Sequence, residues 1–159
     1  MRFFLVAKAR LYSALNLLKL WRSGIRSPGL AMPIGGEPML FIGPTNSAGQ
    51  GYFWARSLRD NVAGMGTCST SFTRQNGFSF QSDLPVVSGY AAHSRKWQRR
   101  QFDATARFHS VLVESGKPPF SGFLQASTGL QMGALERKGV QVGLLFHGSD
   151  IRDPRRHAI

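Results

Sequence analysis

One cysteine, eight acidic residues and no long apolar run set the first limits on this chain of 159 residues. Cys68 alone excludes an intrachain disulfide framework and a multi-cysteine zinc site. It lies in an apolar, Ser/Thr-rich stretch and reads as a small, semi-buried residue, a usage that fits a reducing cytosol. No segment holds the roughly 18 uninterrupted apolar residues of a membrane span. The nearest approach, residues 1–21, is broken by Lys8, Arg10, Asn16 and Lys19. It also lacks the small-residue cleavage site of a secretory signal. Acids are scarcest at the start. The first is Glu37, and Arg2, Lys8, Arg10, Lys19, Arg22 and Arg26 all precede it.

Basic residues, glycine and phenylalanine are abundant. Twenty Lys and Arg give a formal net charge of +12. That balance favours anionic partners: nucleic acid, an anionic membrane surface or phosphorylated ligands. The length suits one domain, and twelve Phe within 42% hydrophobic residues suffice for a core. Eighteen Gly and eight Pro point to many turns rather than long bundle helices.

Two regions are expected: residues 1–37, a basic amphipathic extension with its linker, and residues 38–159, the domain. At helical spacing Lys8, Lys19, Arg22 and Arg26 gather on one face, and Val6, Leu17, Leu20 and Trp21 lie on the other. This pattern predicts a helix in which residues 2–26 rest on anionic lipid, or else pack on the chain's own domain. Residues 23–38 carry Gly and Pro breaks and read as a linker.

Beyond the linker the pattern becomes regular. Met39 to Ile42 make a short apolar strand, Gly43 to Gly51 a glycine-rich turn, and the "YFWARSLRD" that follows has helical character. "TCSTSF" (67–72), "FHSVLVES" (108–115) and "VQVGLLF" (140–146) read as further strands. The last is apolar enough to be buried on both faces, as central parallel strands are. A helix precedes it, with Gly139 as its stop. Strands alternating with helices predict an α/β fold with a Rossmann-like parallel sheet and flanking helices.

Three motifs carry chemistry. "GPTNSAGQG" (43–51) sits between a strand and a helix, where glycines admit a ligand and free N–H groups face a phosphate or sugar hydroxyl. It is neither a dinucleotide fingerprint nor a Walker loop, so a plain structural turn fits it equally. Asn46, Ser47 and Gln50 add polar side chains suited to reading hydroxyls. "SRKWQRRQFDATAR" (94–107) interleaves basic residues with Trp97 and Phe102. Such a run binds nucleic acid when the aromatics are exposed, but more often it is the wet face of a helix whose aromatics point inward. Nucleic acid is therefore not the favoured partner. "HGSDIRDPRRH" (147–157) follows the last strand. His147 leaves that strand at the crevice above the sheet, suited to a sugar hydroxyl or a developing charge, and Asp150 to accepting from hydroxyls. His147, Asp150, Asp153 and His157 are metal-ligand types, but Asp153-Pro154 is a turn pair and nothing fixes the four in one shell. No metal and no cofactor is expected.

The blocks "IGPTNSAGQGYFWARSLRD", "HSVLVESGKPPFSG" and "VGLLFHGSDIRDPRRH" together resemble the N-terminal half of bacterial, actinobacterial-type retaining glycosyltransferases of the GT-B fold. In such enzymes two Rossmann-like domains face each other across a cleft. The resemblance implies transfer of a hexose from a nucleotide-diphosphate sugar to an envelope glycan or lipid-linked acceptor, without an obligatory metal. It places Asn46, Ser47, Gly49, Gln50 and Gly51 at the cleft floor, near acceptor and donor phosphate. It gives His147 a contact with the donor sugar, and makes Asp150 and Arg152 that edge of the cleft. It also implies a cytoplasmic location, peripheral on the inner face of the membrane. Twelve residues follow His147, so the donor domain of the family is not in this sequence, and the expectation is a truncated transferase with little activity alone. The alternatives are a non-catalytic basic module for nucleic acid or anionic surfaces, and a partner subunit completed by a separate donor chain.

Overall fold

The computed structural model describes residues 2–147 except residue 76. Its centre is a five-stranded sheet in the order β3-β2-β1-β4-β5, with every neighbouring pair parallel. The strands are β1 (Met39–Gly43), β2 (Gly66–Thr73), β3 (Leu84–Val87), β4 (Ser110–Glu114) and β5 (Gln141–Leu145). The helices are α1 (Arg2–Arg22), α2 (Gln50–Asn61), α3 (Ser88–His93), α4 (Arg95–Thr105) and α5 (Thr128–Glu136). Parallel neighbours require a crossover, and α2, the α3–α4 pair and α5 fill the crossovers to β2, β4 and β5. The expected Rossmann-like α/β architecture is what the chain adopts.

β1 lies in the middle. Phe41 and Ile42 are fully buried and, being consecutive, face opposite sides of the sheet. Phe41 meets Phe108 edge-on at 5.9 Å and joins a cluster with Val111, Val113, Phe102, Phe120 and Leu135. β2 is buried although it is rich in hydroxyls. Each hydroxyl has a local partner: Thr67 Oγ1 donates to Ala55 O, Ser69 Oγ to Asp83, and Thr70 Oγ1 to Leu84 O. Asp83, at the entrance to β3, is held in turn by both terminal nitrogens of Arg59 at 3.0 and 3.1 Å. β3 contains Pro85 and lies at one edge of the sheet, where a missing N–H is tolerated.

β5 corrects an expectation. It is the other edge strand, not a central one, and Leu144 is 48% exposed. A short apolar run carries no mark of how many strands flank it. Gly139, at φ +84°, closes the turn after α5 as expected.

The stretch between α1 and β1 lies against the domain. Ala31 N–H donates to Gln101 Oε1, Trp97 Nε1 donates to Gly29 O, and Ile34 bridges antiparallel to Thr67. α1 packs on α3, with Tyr12 edge-on to His93 and Leu20 against Gly89. Leu17 and Leu20 are half-buried there, but Val6 and Trp21, expected on the same side, are exposed.

Cys68 is buried in β2, and burial pushes its thiol up to about 12 from its ordinary 9.0. The folded state therefore holds this proton more tightly than the unfolded chain. Its contribution to stability is intact below about pH 9 and is lost as the pH rises towards 12. An aromatic disulfide reagent at pH 8, below the ordinary thiol value of 9.0, is expected to leave the native chain unmodified and to label it fully in denaturant. Fast native labelling, followed by absorbance, would contradict the buried placement.

Candidate functional site at the strand-order switch

The chain runs from β1 outward to β2 and β3, then returns to the other side of β1 for β4 and β5. The carboxyl ends of β1 and β4 thus flank the point where strand order reverses, the usual ligand crevice of an open α/β sheet. Residues from three strand ends and from α2 meet here.

Glu114, the last residue of β4, is the centre of the cluster. It is fully buried. Its Oε2 accepts the backbone N–H of Asn46 at 2.7 Å, and its Oε1 lies 3.3 Å from His147 Nε2. His147 Nδ1 lies 2.7 Å from Gln50 Oε1. A carbonyl oxygen only accepts, so Nδ1 carries a hydrogen in this arrangement. The His147–Glu114 contact is an ion pair when the imidazole holds its second hydrogen as well. The indole of Trp54 stacks on the His147 ring, centroids 6.0 Å apart and planes 14° apart.

The glycine loop is shaped around this carboxylate. Asn46 takes a left-handed backbone at φ 48°. Its Oδ1 accepts from Tyr52 N–H and its Nδ2 donates to Gln81 O, so both ends of the amide are engaged within the protein. Gly49 has φ +80°, which glycine adopts without strain. Gly51 lets α2 approach closely, because a Cβ there would lie 3.0 Å from Glu114 Oε1. The first turn of α2 therefore rests on the chain's own carboxylate. The loop was expected to lie near acceptor and donor phosphate; its side facing the sheet packs against Glu114. Ser47 is half-buried and Ala48 exposed in the single 3₁₀ turn before α2.

Beside the cluster, at the carboxyl ends of β1 and β2, lies a cavity of about 440 Å³. Thr45, Asn46, Ser71, Thr73 and Ser79 give it a polar lining, and Arg74 adds a guanidinium. Phe78 and Phe80 stand at its wall, edge-to-face at 5.0 Å, with Phe78 86% exposed.

The structure thus brings together Asn46, Gln50, Gly51 and His147, with Gly49 and Ser47 in the same loop. Asp150 and Arg152 lie outside the described residues, as do Asp153 and His157. Glu114 and Trp54 were not singled out from sequence. A lone acid directly after "SVLV", in a chain with so few acids, was the available signal for Glu114. The cavity segment "SFTRQNGFSF", residues 71–80, carried only a weaker one: three Phe in an otherwise polar segment. On α4, Trp97 and Phe102 are buried, and Arg95, Lys96, Arg99 and Arg100 are exposed. That helix offers no aromatic platform for stacking bases. Among the described residues no three His, Cys, Asp or Glu side chains are grouped to hold a metal ion, and no helix is long and apolar enough to cross a membrane.

Comparison with known proteins finds no matching family model, no matching curated protein and no matching solved structure.

Proposed function

We infer that this domain is the acceptor-side wall of a sugar-transferring cleft, serving transfer of a hexose from a nucleotide-diphosphate sugar to a glycan or lipid-linked acceptor. One observation carries the reading: a hydroxyl-lined cavity with an exposed aromatic pair lies next to the His147–Glu114 cluster at the strand-order switch. Sugars present hydroxyls to polar side chains and C–H faces to aromatic rings, and this lining offers both. Arg74 suits an acidic or phosphorylated group on the acceptor. His147 stands at the lip of β5, oriented by Gln50, Glu114 and Trp54, where a donor sugar would face it. A nucleotide-sugar donor places such a reaction in the cytoplasm. The diphosphate is left to basic groups of a facing domain, since Gly51 in the first turn of α2 packs on Glu114.

The test is a titration of the full chain with neutral oligosaccharides, sugar phosphates and nucleotide sugars, followed by amide NMR. Shifts are expected to concentrate at Thr45, Ser71 to Arg74 and Phe78 to Phe80. The double variant Arg74→Ala, Phe78→Ala is expected to bind at least about tenfold more weakly, as losing one charged hydrogen bond and one ring face implies. A flat titration with all three ligand classes would remove the basis of this reading.

A further inference from the structure

The outward side of α1 is both apolar and cationic. At about 100° per residue, Leu18, Leu11, Phe4 and Leu15 fall within a sector of about 60°. None of the four is buried by the domain: Phe4 is 83% exposed and Leu11 63%. Lys8 and Lys19 border the sector on one side and Arg10 on the other, and Arg22 closes it at the C-terminal end. The helix contains no acid, and the chain has none before Glu37. The opposite side of α1 is already taken, by Leu20 against Gly89 of α3, and Tyr12, on the flank beside Lys19, is edge-on to His93. This leaves an exposed apolar stripe with basic borders on a helix fixed to its domain.

We propose that this face of α1 docks the protein on an anionic lipid bilayer, with Phe4, Leu11, Leu15 and Leu18 entering the acyl boundary and Lys8, Lys19 and Arg22 meeting headgroup phosphates. Charge selects this occupant. A second copy of the chain would bring two acid-free basic borders together within a net charge of +12 each, whereas an anionic surface neutralises them. The geometry is that of a helix lying in the interface plane, its apolar side down and its basic residues at headgroup level. The anchor also has an orientation. Gly89 and Ser88 follow the carboxyl end of β3, and Ser88 Oγ donates to Thr73 O in the wall of the cavity. α1 is thereby tied to the same edge of the sheet as the cavity. The inference does not depend on the sugar-transfer reading, and either can fail alone.

Flotation of the full chain with vesicles of equimolar phosphatidylglycerol and phosphatidylcholine tests it, beside vesicles of phosphatidylcholine alone. Binding is expected to the anionic vesicles and to fall at least tenfold on the neutral ones. Leu11→Asp with Leu15→Asp is expected to abolish binding, and Lys8→Glu with Lys19→Glu to reduce it more than tenfold. All four positions are surface ones, so an unchanged thermal midpoint is expected to accompany the loss. Equal binding of the Leu11→Asp, Leu15→Asp variant would overturn the proposal, because it would assign attraction to net charge alone. So would a lipid-free dimer that dissociates in that variant, or a salt-sensitive preference for nucleic acid over the vesicles.

Discussion

Replacing Glu114 with alanine is expected to lower stability by about 3 to 5 kcal/mol, the usual consequence of removing one partner from a buried polar pair. The carboxylate is fully buried and accepts the Asn46 N–H at 2.7 Å. Without it that N–H loses its acceptor at the base of a turn held in a left-handed backbone. The first turn of α2 also loses the side chain on which Gly51 packs. His147 loses the contact that, with Gln50, fixes its ring on Trp54. Glu114→Gln keeps one oxygen for the Asn46 N–H and removes the charge, so it is expected to cost about 1 to 2 kcal/mol. Denaturant midpoints of the two variants, read at constant slope, separate the hydrogen bond from the charge. Equal losses in both would mean that charge is the whole contribution. No loss in either would mean that the carboxylate is not the keystone of this turn.

Phe41→Ala is expected to cost about 3 to 5 kcal/mol through a different cause, a cavity in the centre of the sheet. Phe41 is fully buried, with β2 on one side of its strand, β4 on the other, and the Phe108 ring edge-on beneath it. Flanked on both sides by paired strands, the site cannot collapse to fill the space. For a domain of this size the thermal midpoint should fall by about 10 °C or more. Phe41→Leu retains most of the volume and should lose less than half as much. The pair of midpoints distinguishes a packing role from loss of strand propensity, which would affect the leucine variant equally.

The fold was legible wherever the strand was apolar and flanked by glycine or proline. β1 with its turn and α2, and β4 with its three consecutive aliphatics, announce a parallel α/β sheet from sequence. β3 is harder to read: it has four residues and a proline, and its identity as a strand depends on β2 beside it. The edge position of β5 depends on neighbours that no local pattern encodes. In the site, the loop from Asn46 to Gly51 and His147 could be read because glycine turns and strand ends have sequence signatures. Glu114 could not be paired with them in advance. Its partners come from a loop 68 residues away and from the end of another strand, and only the sheet register joins them. The same register sets Glu114 beneath that loop.

The strand order has a kinetic corollary. β2 finds β1, and β3 finds β2, through short returns, but β4 must come back to β1 across a much longer excursion, as the Met39 to His109 hydrogen bond spans 70 residues. Closing a loop of that length is entropically slow, and parallel pairing gives no local hairpin to guide it. A nascent sheet of β1, β2 and β3 contains the glycine loop but neither Glu114 nor His147. The His147–Glu114 contact is thus completed only after that long-range closure, so its recovery during refolding would time the completion of the whole sheet.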